Sequence, residues 1–191
     1  LGKKDRQTYL FLFQNNMELR PSGGFIGSVG LVTFDGGRMT ELKVEDVYAL
    51  DGQLKGHVDP PFAIRTILGQ ENFFLRDSNW DPDFSVSGEK AAWFLEKEMG
   101  VSVQGVIAVD LTAMSYLLEA LGPITVPDYD TQITAENLFI QTQSQVEADF
   151  FPGSTKKKDF LGSLSRAVLL ELTEHADIPY MNVLSQLSRS L

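Results

Sequence analysis

The 191-residue chain contains no cysteine and only two histidines. Disulfide scaffolds and thiolate metal centres are therefore excluded. A histidine-rich zinc site would have only His57 and His175 to draw on. Basic residues are also in deficit, 16 against 26 acidic, for a formal net charge of −10. Nonspecific nucleic-acid binding needs a basic surface to neutralise phosphates, so that class of partner is excluded, although a local basic pocket is not. No uninterrupted apolar run of about 18 residues occurs, so no segment reads as a membrane-spanning helix. The chain starts at Leu1 rather than Met. The expectation is a fragment of a longer, membrane-anchored protein whose N-terminal signal or anchor has been cut away.

What is present in quantity is aromatic and apolar material, including thirteen Phe and two Trp. This suits one globular domain with a substantial core. Polar chemistry is concentrated in two stretches. The first, Gln14–Ser28 (QNNMELRPSGGFIGS), lies between the apolar runs Tyr9–Phe13 and Val29–Phe34. It holds Asn15, Asn16, Glu18, Arg20 and glycines at 23, 24 and 27. A turn between strands needs one or two special residues, and this stretch has more polar groups than turning requires. Arg20 with the backbone N–H groups at Gly23 and Gly24 reads as an anion clamp. The alternative is an arginine satisfying loop carbonyls or pairing with Glu18 or Asp77. The second stretch, Leu75–Phe84 (LRDSNWDPDF), offers Arg76, Asp77, Asn79, Asp81 and Asp83 as an opposite wall of the same cleft. Its alternative is structural: Asx turns, a turn starter at Asp81-Pro82, and Trp80 as a core plug.

In chain order, Tyr9–Phe13 and Phe25–Phe34 read as strands joined by a polar loop. Asp35-Gly36-Gly37 is a hairpin signal, and a third strand follows through Thr40, Leu42 and Val44. Glu45–Gly56 reads as an acidic loop around Asp46 and Asp51, and Phe62–Leu68 as a short helix. Ser87–Met99 is a helix capped by Ser85 or Ser87 and closed by Gly100. Val103–Val109 is a buried strand, Asp110 caps a helix over Leu111–Leu121, and Ile124–Val126 is a short strand. Thr134 caps Ala135–Val146, Lys156–Lys158 precede an apolar helix over Phe160–Glu174, and Asp177 caps a last one from Pro179. Helix, strand and helix with short connections is α/β grammar.

The strings ELRPSGGFIGS and RDSNWDPDF are similar to those of an uncharacterised bacterial family known only as a domain of unknown function. A more distant similarity links the chain to the LytR-CpsA-Psr family. It is carried by the helix from Gly88 and by GVSVQGVIAVDLTAMSYLLEALGPITV, which ends at Val126. The resemblance implies a single domain over residues 1–191, an α-β-α sandwich with a mixed central sheet. It also implies an extracytoplasmic, cell-envelope location and binding of a phosphorylated polyprenyl lipid or glycopolymer precursor. If the domain is an enzyme, the implied chemistry is phosphoryl-linked glycan transfer at the cell wall.

Carried over position by position, the resemblance places Arg20 on the family's first-loop arginine, Asp51 or Asp46 on the aspartate of a later Arg-Asp pair, and Lys156–Lys158 on a late arginine cluster; Arg20 together with Arg76 and Asp77 of the opposite wall is the expected catalytic set. Ligand contacts would come from Asn15, Asn16, Glu18, Gly23, Gly24, Asp51, Asn79 and Lys157. Mg²⁺ is the implied cofactor, with Asp77 and Asp81 as candidate ligands. The chain departs from the family pattern where Asn15 or Asn16 replaces the first loop aspartate and lysines replace a late arginine cluster. Neutral amides are poor Mg²⁺ ligands, and lysine lacks the bidentate fork of arginine. A second expectation from a different class is a noncatalytic extracytoplasmic binding or assembly module with structural polar loops. Cleft geometry separates the two: guanidinium groups converging on an open groove, or buried in internal ion pairs.

Overall fold

The structure is a computed structural model and describes Gly2, residues 5–148, residues 160–174 and Ser185. It divides into two compact units, Leu1–Ala108 and Val109–Leu191. The architecture is mixed α/β, with a mixed four-stranded sheet and helices.

The first unit begins with a long hairpin, β1 (Gln7–Arg20) and β2 (Gly23–Asp35), and continues into β3 (Arg38–Asp46). Short helices α1 (Val47–Asp51) and α2 (Phe62–Ile67) and a 3₁₀ helix (Leu75–Trp80) precede the long α3 (Phe84–Met99). Strand β4 (Gly105–Asp110) completes the sheet in the order β3-β2-β1-β4, its last two residues falling in the second unit. The β2–β3 turn carries Gly36 and Gly37, both at positive φ (57° and 80°). A two-residue hairpin turn matched to strand twist needs that geometry, and glycine adopts it without Cβ strain.

Apolar residues of the sheet, including Leu10, Leu12, Ile26 and Val29, pack with Leu50, Ile64, Leu75, Ala91, Phe94 and Leu95 from the helices. Phe73 meets Phe94 edge to face with ring centres 5.1 Å apart. The contributions of α3 come from one stripe at helical spacing, Ala91, Phe94 and Leu95, as an amphipathic helix requires. Its N-cap is Asp83, whose side chain accepts from Ser85 N–H, one turn ahead of the expected start. Gly100 closes it in the left-handed conformation.

In the second unit, Asp110 caps α4 (Leu111–Leu121) by accepting from Ala113 N–H at 2.7 Å. The hairpin β5 (Ile124–Val126) and β6 (Thr131–Ile133), helix α5 (Leu138–Ala148) and helix α6 (Phe160–Glu174) follow. Leu111, Met114, Leu118, Val126, Ile133, Leu138, Leu164 and Val168 are among its buried apolar residues. Tyr129 packs edge to face on Phe160. The bounds of α4, β5 and α6 are those expected from the sequence. Helix α5 starts later than expected, because Thr134 and Asn137 first close a turn: Thr134 N–H donates to Asn137 Oδ1 and Asn137 N–H to Thr134 Oγ1.

Three expectations need correction. The segment between Phe13 and Phe25 is not a loop: β1 runs to Arg20 and β2 starts at Gly23, leaving Pro21-Ser22 as the tip. The polar residues fit inside the strand because the ladder bulges. Asn15 pairs with Phe25 and Leu19 with Gly24, so residues 16–18 are left outside the register. Asn15 Oδ1 accepts from Met17 N–H at 3.1 Å and shapes this bulge as an Asx turn. Glu45–Gly56 is not an open loop, since Asp46 caps α1 by accepting from Tyr48 and Ala49 N–H. Leu75–Phe84 is mostly 3₁₀ helix, with Asn79 at its kink.

Candidate functional site

The two polar stretches meet, and they meet as a closed seam. The tip of the β1–β2 hairpin is stitched to the kink of the 3₁₀ helix. Asn79 Nδ2 donates to Gly24 O at 2.7 Å, and Ser22 gives both its N–H (3.3 Å) and its hydroxyl (3.1 Å) to Asn79 O. Gln14 Nε2 adds a bond to Ser22 O at 3.3 Å. Gly24 is glycine for want of room: a Cβ there would overlap the Asn15 carbonyl. At Gly23 (φ +109°) a Cβ would overlap Gln14 Oε1. Gly24 is accounted for by close backbone approach, and Gly23 by its positive φ beside the Gln14 side chain.

This stitching carries Arg20 to Asp77. Nε and Nη2 of Arg20 both lie 3.2 Å from Asp77 Oδ1. Arg76 Nε lies 3.5 Å from Oδ2 of the same carboxylate, and Arg76 Nη1 donates to Asp51 Oδ2 at 2.6 Å. Arg76 Nη2 donates to Gln70 at 2.8 Å. The result is a chain, Arg20–Asp77–Arg76–Asp51, running from the sheet through the 3₁₀ helix to α1. Both guanidinium groups also lie against rings: Arg20 is 5.3 Å from the Phe25 centroid, and Arg76 is 4.3 Å from Phe74 and 5.3 Å from Tyr48. The side chains of Arg20 and Arg76 are 13 % and 15 % exposed, those of Asp77 and Asp51 1 % and 4 %. In such surroundings charge pairing is little screened.

The structure thus brings together Arg20, Arg76, Asp77, Asn79, Asp51, Gly23 and Gly24. Asn15 is buried next to them, donating to Glu18 Oε1 at 3.2 Å, while Glu18 itself is exposed. Asn16 is half-buried in the bulge. Asp81 stands apart, exposed, accepting from Asp83 N–H at 2.8 Å. His57 is exposed beside Asp59. Lys157, with Lys156 and Lys158, and also His175 and the helix from Pro179, lie outside the described residues.

The arrangement does not fit Mg²⁺. Asp77 already lies between two guanidinium groups, hydrogen-bonded to Arg20 through Oδ1 and 3.5 Å from Arg76 at Oδ2, and these cations would repel a dication. Asp81 is turned to a backbone N–H. Among the described residues no group of three or more His, Cys, Asp or Glu side chains is placed to hold a metal ion. Among the described residues, grooves of the first unit include one with a cavity volume of about 300 Å³ beside Phe84 and Val106 and one of about 230 Å³ beside Pro61 and Trp80. Neither is lined by Arg20 or Arg76.

One member of the cluster goes unnoticed in the sequence. Glu98 is buried on α3, and burial pushes its carboxyl up to about 8, with the Asp51 carboxylate adding to the rise and Arg76 opposing it. Burial also raises Asp51 to about 6 against the pull of Arg76. A signal existed: Ala91, Phe94, Leu95 and Glu98 follow the i, i+3, i+4, i+7 spacing of a buried helix face. A carboxylate at that last position is out of place on a solvated surface.

Comparison with known proteins assigns the chain no activity. A family model described as "Protein of unknown function (DUF4012)" matches residues 4–146. No curated protein matches. Among solved structures, the chain is similar to the Lin1025 protein from Listeria innocua at 14 % identity and a TM-score of 0.45, over 88 % of this chain and 64 % of that one. The chain therefore spans less than two thirds of that protein's length.

Proposed function

The chain belongs to the DUF4012 family, whose description assigns no activity, and we propose that it is a noncatalytic extracytoplasmic binding or assembly module of the bacterial cell envelope. Its fold on this reading is an α-β-α sandwich of the LytR-CpsA-Psr kind. The envelope setting rests on the sequence resemblance. The absence of catalysis rests on one observation: Arg20 and Arg76 are committed to internal partners, Asp77 and Asp51, and to aromatic faces. A guanidinium that is to take a phosphate must give up such a partner, and leaving a buried carboxylate unpaired is costly. The arginine chain acts as a lock that holds hairpin tip, 3₁₀ helix and α1 in one body.

The competing reading is a site for a phosphorylated polyprenyl lipid or glycopolymer precursor, with Arg20, Arg76 and Asp77 catalysing phosphoryl-linked glycan transfer. A thermal-shift titration with long-chain alkyl phosphates, kept below their micelle concentration and run with and without Mg²⁺, separates the two. A ligand that binds the native state at 100 times its Kd adds about 2.7 kcal/mol of stability. The module reading predicts no concentration-dependent rise in Tm. A saturable rise that Arg20→Lys abolishes while remaining folded would establish a phosphate site at the seam instead.

A further inference from the structure

Charge and apolar surface meet at a second place in the first unit, outside the arginine seam. The groove of about 230 Å³ is walled by Pro61, Trp80, Pro82 and Val86, with Asp81 and Lys90 as charged members. Val86 is 46 % exposed, and Phe62, next to Pro61 in the chain, is 82 % exposed. The cavity is smaller than the roughly 300–1,000 Å³ that holds a drug-sized ligand. Its size and lining suit one apolar side chain.

Helix α3 carries the surface onward. Val86, Lys90, Trp93 and Lys97 recur at i, i+4, i+7 and i+11 and so share one helix face. Trp93 is 36 % exposed. The ammonium groups of Lys90 and Lys97 lie 5.1 Å and 5.7 Å from its ring centre. Arg6, Lys43 and Arg65 each face a carboxylate at the surface. Among the described residues, Lys90 and Lys97 form no such ion pair. The exposed acids of α3 keep to a neighbouring row: Glu89 and Glu96, seven residues apart, lie toward the 300 Å³ groove that Glu89 lines. On a chain of net charge −10, two cations without carboxylate partners thus stand around one exposed ring beside an apolar groove.

We propose that this surface docks an acidic segment of a protein partner, with an apolar side chain in the groove beside Trp80 and carboxylates on Lys90 and Lys97. The inference rests on the reading of the chain as a binding or assembly module and names the class of partner. Charge complementarity selects the occupant. Ammonium-to-carboxylate contacts are charge-assisted hydrogen bonds, about twice as strong as neutral ones. A row of one sign also steers an oppositely charged segment in and keeps a basic one out. Asp81 repels carboxylates at the other charged position of the groove, which directs them along α3. An acidic glycan would meet the same lysines, but walls of Pro, Trp and Val offer its hydroxyls few partners.

A random peptide display library, selected on the wild-type protein at low salt, tests this. The expected result is enrichment of peptides with an apolar residue flanked by Asp or Glu. Synthetic copies of the enriched peptides should bind Lys90→Glu/Lys97→Glu at least about tenfold more weakly, and added salt should weaken their binding to the wild type. Val86→Asn should weaken it too, whereas Lys43→Glu, a charge reversal on β3, should not. All four substituted side chains are exposed, and Tm checks that each variant is folded. If the double reversal unfolds the protein, Lys90→Gln/Lys97→Gln takes its place. The inference is overturned if no peptide is enriched over bare support, or if the enriched peptides ignore the Lys90 and Lys97 substitutions. It is equally overturned if polygalacturonate or a second copy of the chain occupies this surface instead. The module reading fails by a different result, a saturable rise in Tm with alkyl phosphate that Arg20→Lys abolishes, so the two failures are separate.

Discussion

Replacing Asp77 by alanine will cost about 3–5 kcal/mol of folding stability, the range seen when one partner of a buried ion pair is removed. Asp77 is the hinge of the seam, holding Arg20 on one oxygen and Arg76 on the other while 1 % exposed. Its loss leaves Arg20, which is only 13 % exposed, with no carboxylate in reach among its described contacts. Arg76 keeps Asp51. An exposed pair provides the control. Asp59, at 81 % exposure, faces Arg65 at 2.9 Å, and Asp59→Ala should change stability by no more than about 1 kcal/mol, because solvent screens such pairs. Urea denaturation of the two variants checks both numbers. Equal effects would mean that burial adds nothing to the Asp77 contacts.

Gly24→Ala is expected to be nearly as damaging, by about 3 kcal/mol or more, at the upper end of what forced overpacking costs. The new methyl group would meet the backbone of Asn15 and Asn16, not a side chain able to swing aside. Relief requires the bulge to open, which separates Gly24 O from Asn79 Nδ2 and lifts the hairpin tip from the 3₁₀ helix. Gly36 sets the scale for glycine substitutions without a clash. Nothing lies within 4 Å of a Cβ there, and only its φ of 57° opposes a side chain. Gly36→Ala should therefore cost only about 1–2 kcal/mol, the left-handed penalty alone. Similar denaturation midpoints for the two would show that the Gly24 approach is looser than the structure has it.

Local signals in the sequence were enough for the elements they govern. Asp110 with Gly122 brackets α4, and Gly36-Gly37 makes the β2–β3 turn. Gln14–Arg20 misleads because polar residues in a strand look like a loop until their partners are known. Those partners are remote: 57 residues separate Arg20 from Asp77, and 25 separate Asp51 from Arg76. The candidate site was legible as a set of residues, since the same two stretches supply it together with Asp51. Its character was not. An arginine beside two glycines reads equally as an anion clamp or as a closed packing seam, and only the arrival of a carboxylate from the 3₁₀ helix distinguishes them. Glu98 shows the reverse case, a residue whose helical spacing already placed it inside.

The most direct measurement of the lock is a double-mutant cycle on Arg20 and Asp77, using Arg20→Met and Asp77→Ala. Residues in direct contact within one ion-pair network couple by about 0.5–3 kcal/mol, whereas independent sites add within about 0.3–0.5 kcal/mol. The account predicts coupling near the upper end, with Arg20→Met recovering much of the stability lost in Asp77→Ala because the buried cation leaves with its partner. Strict additivity would contradict it. Arg20 would then not be committed to Asp77 in solution, and its guanidinium would be free to meet an external anion.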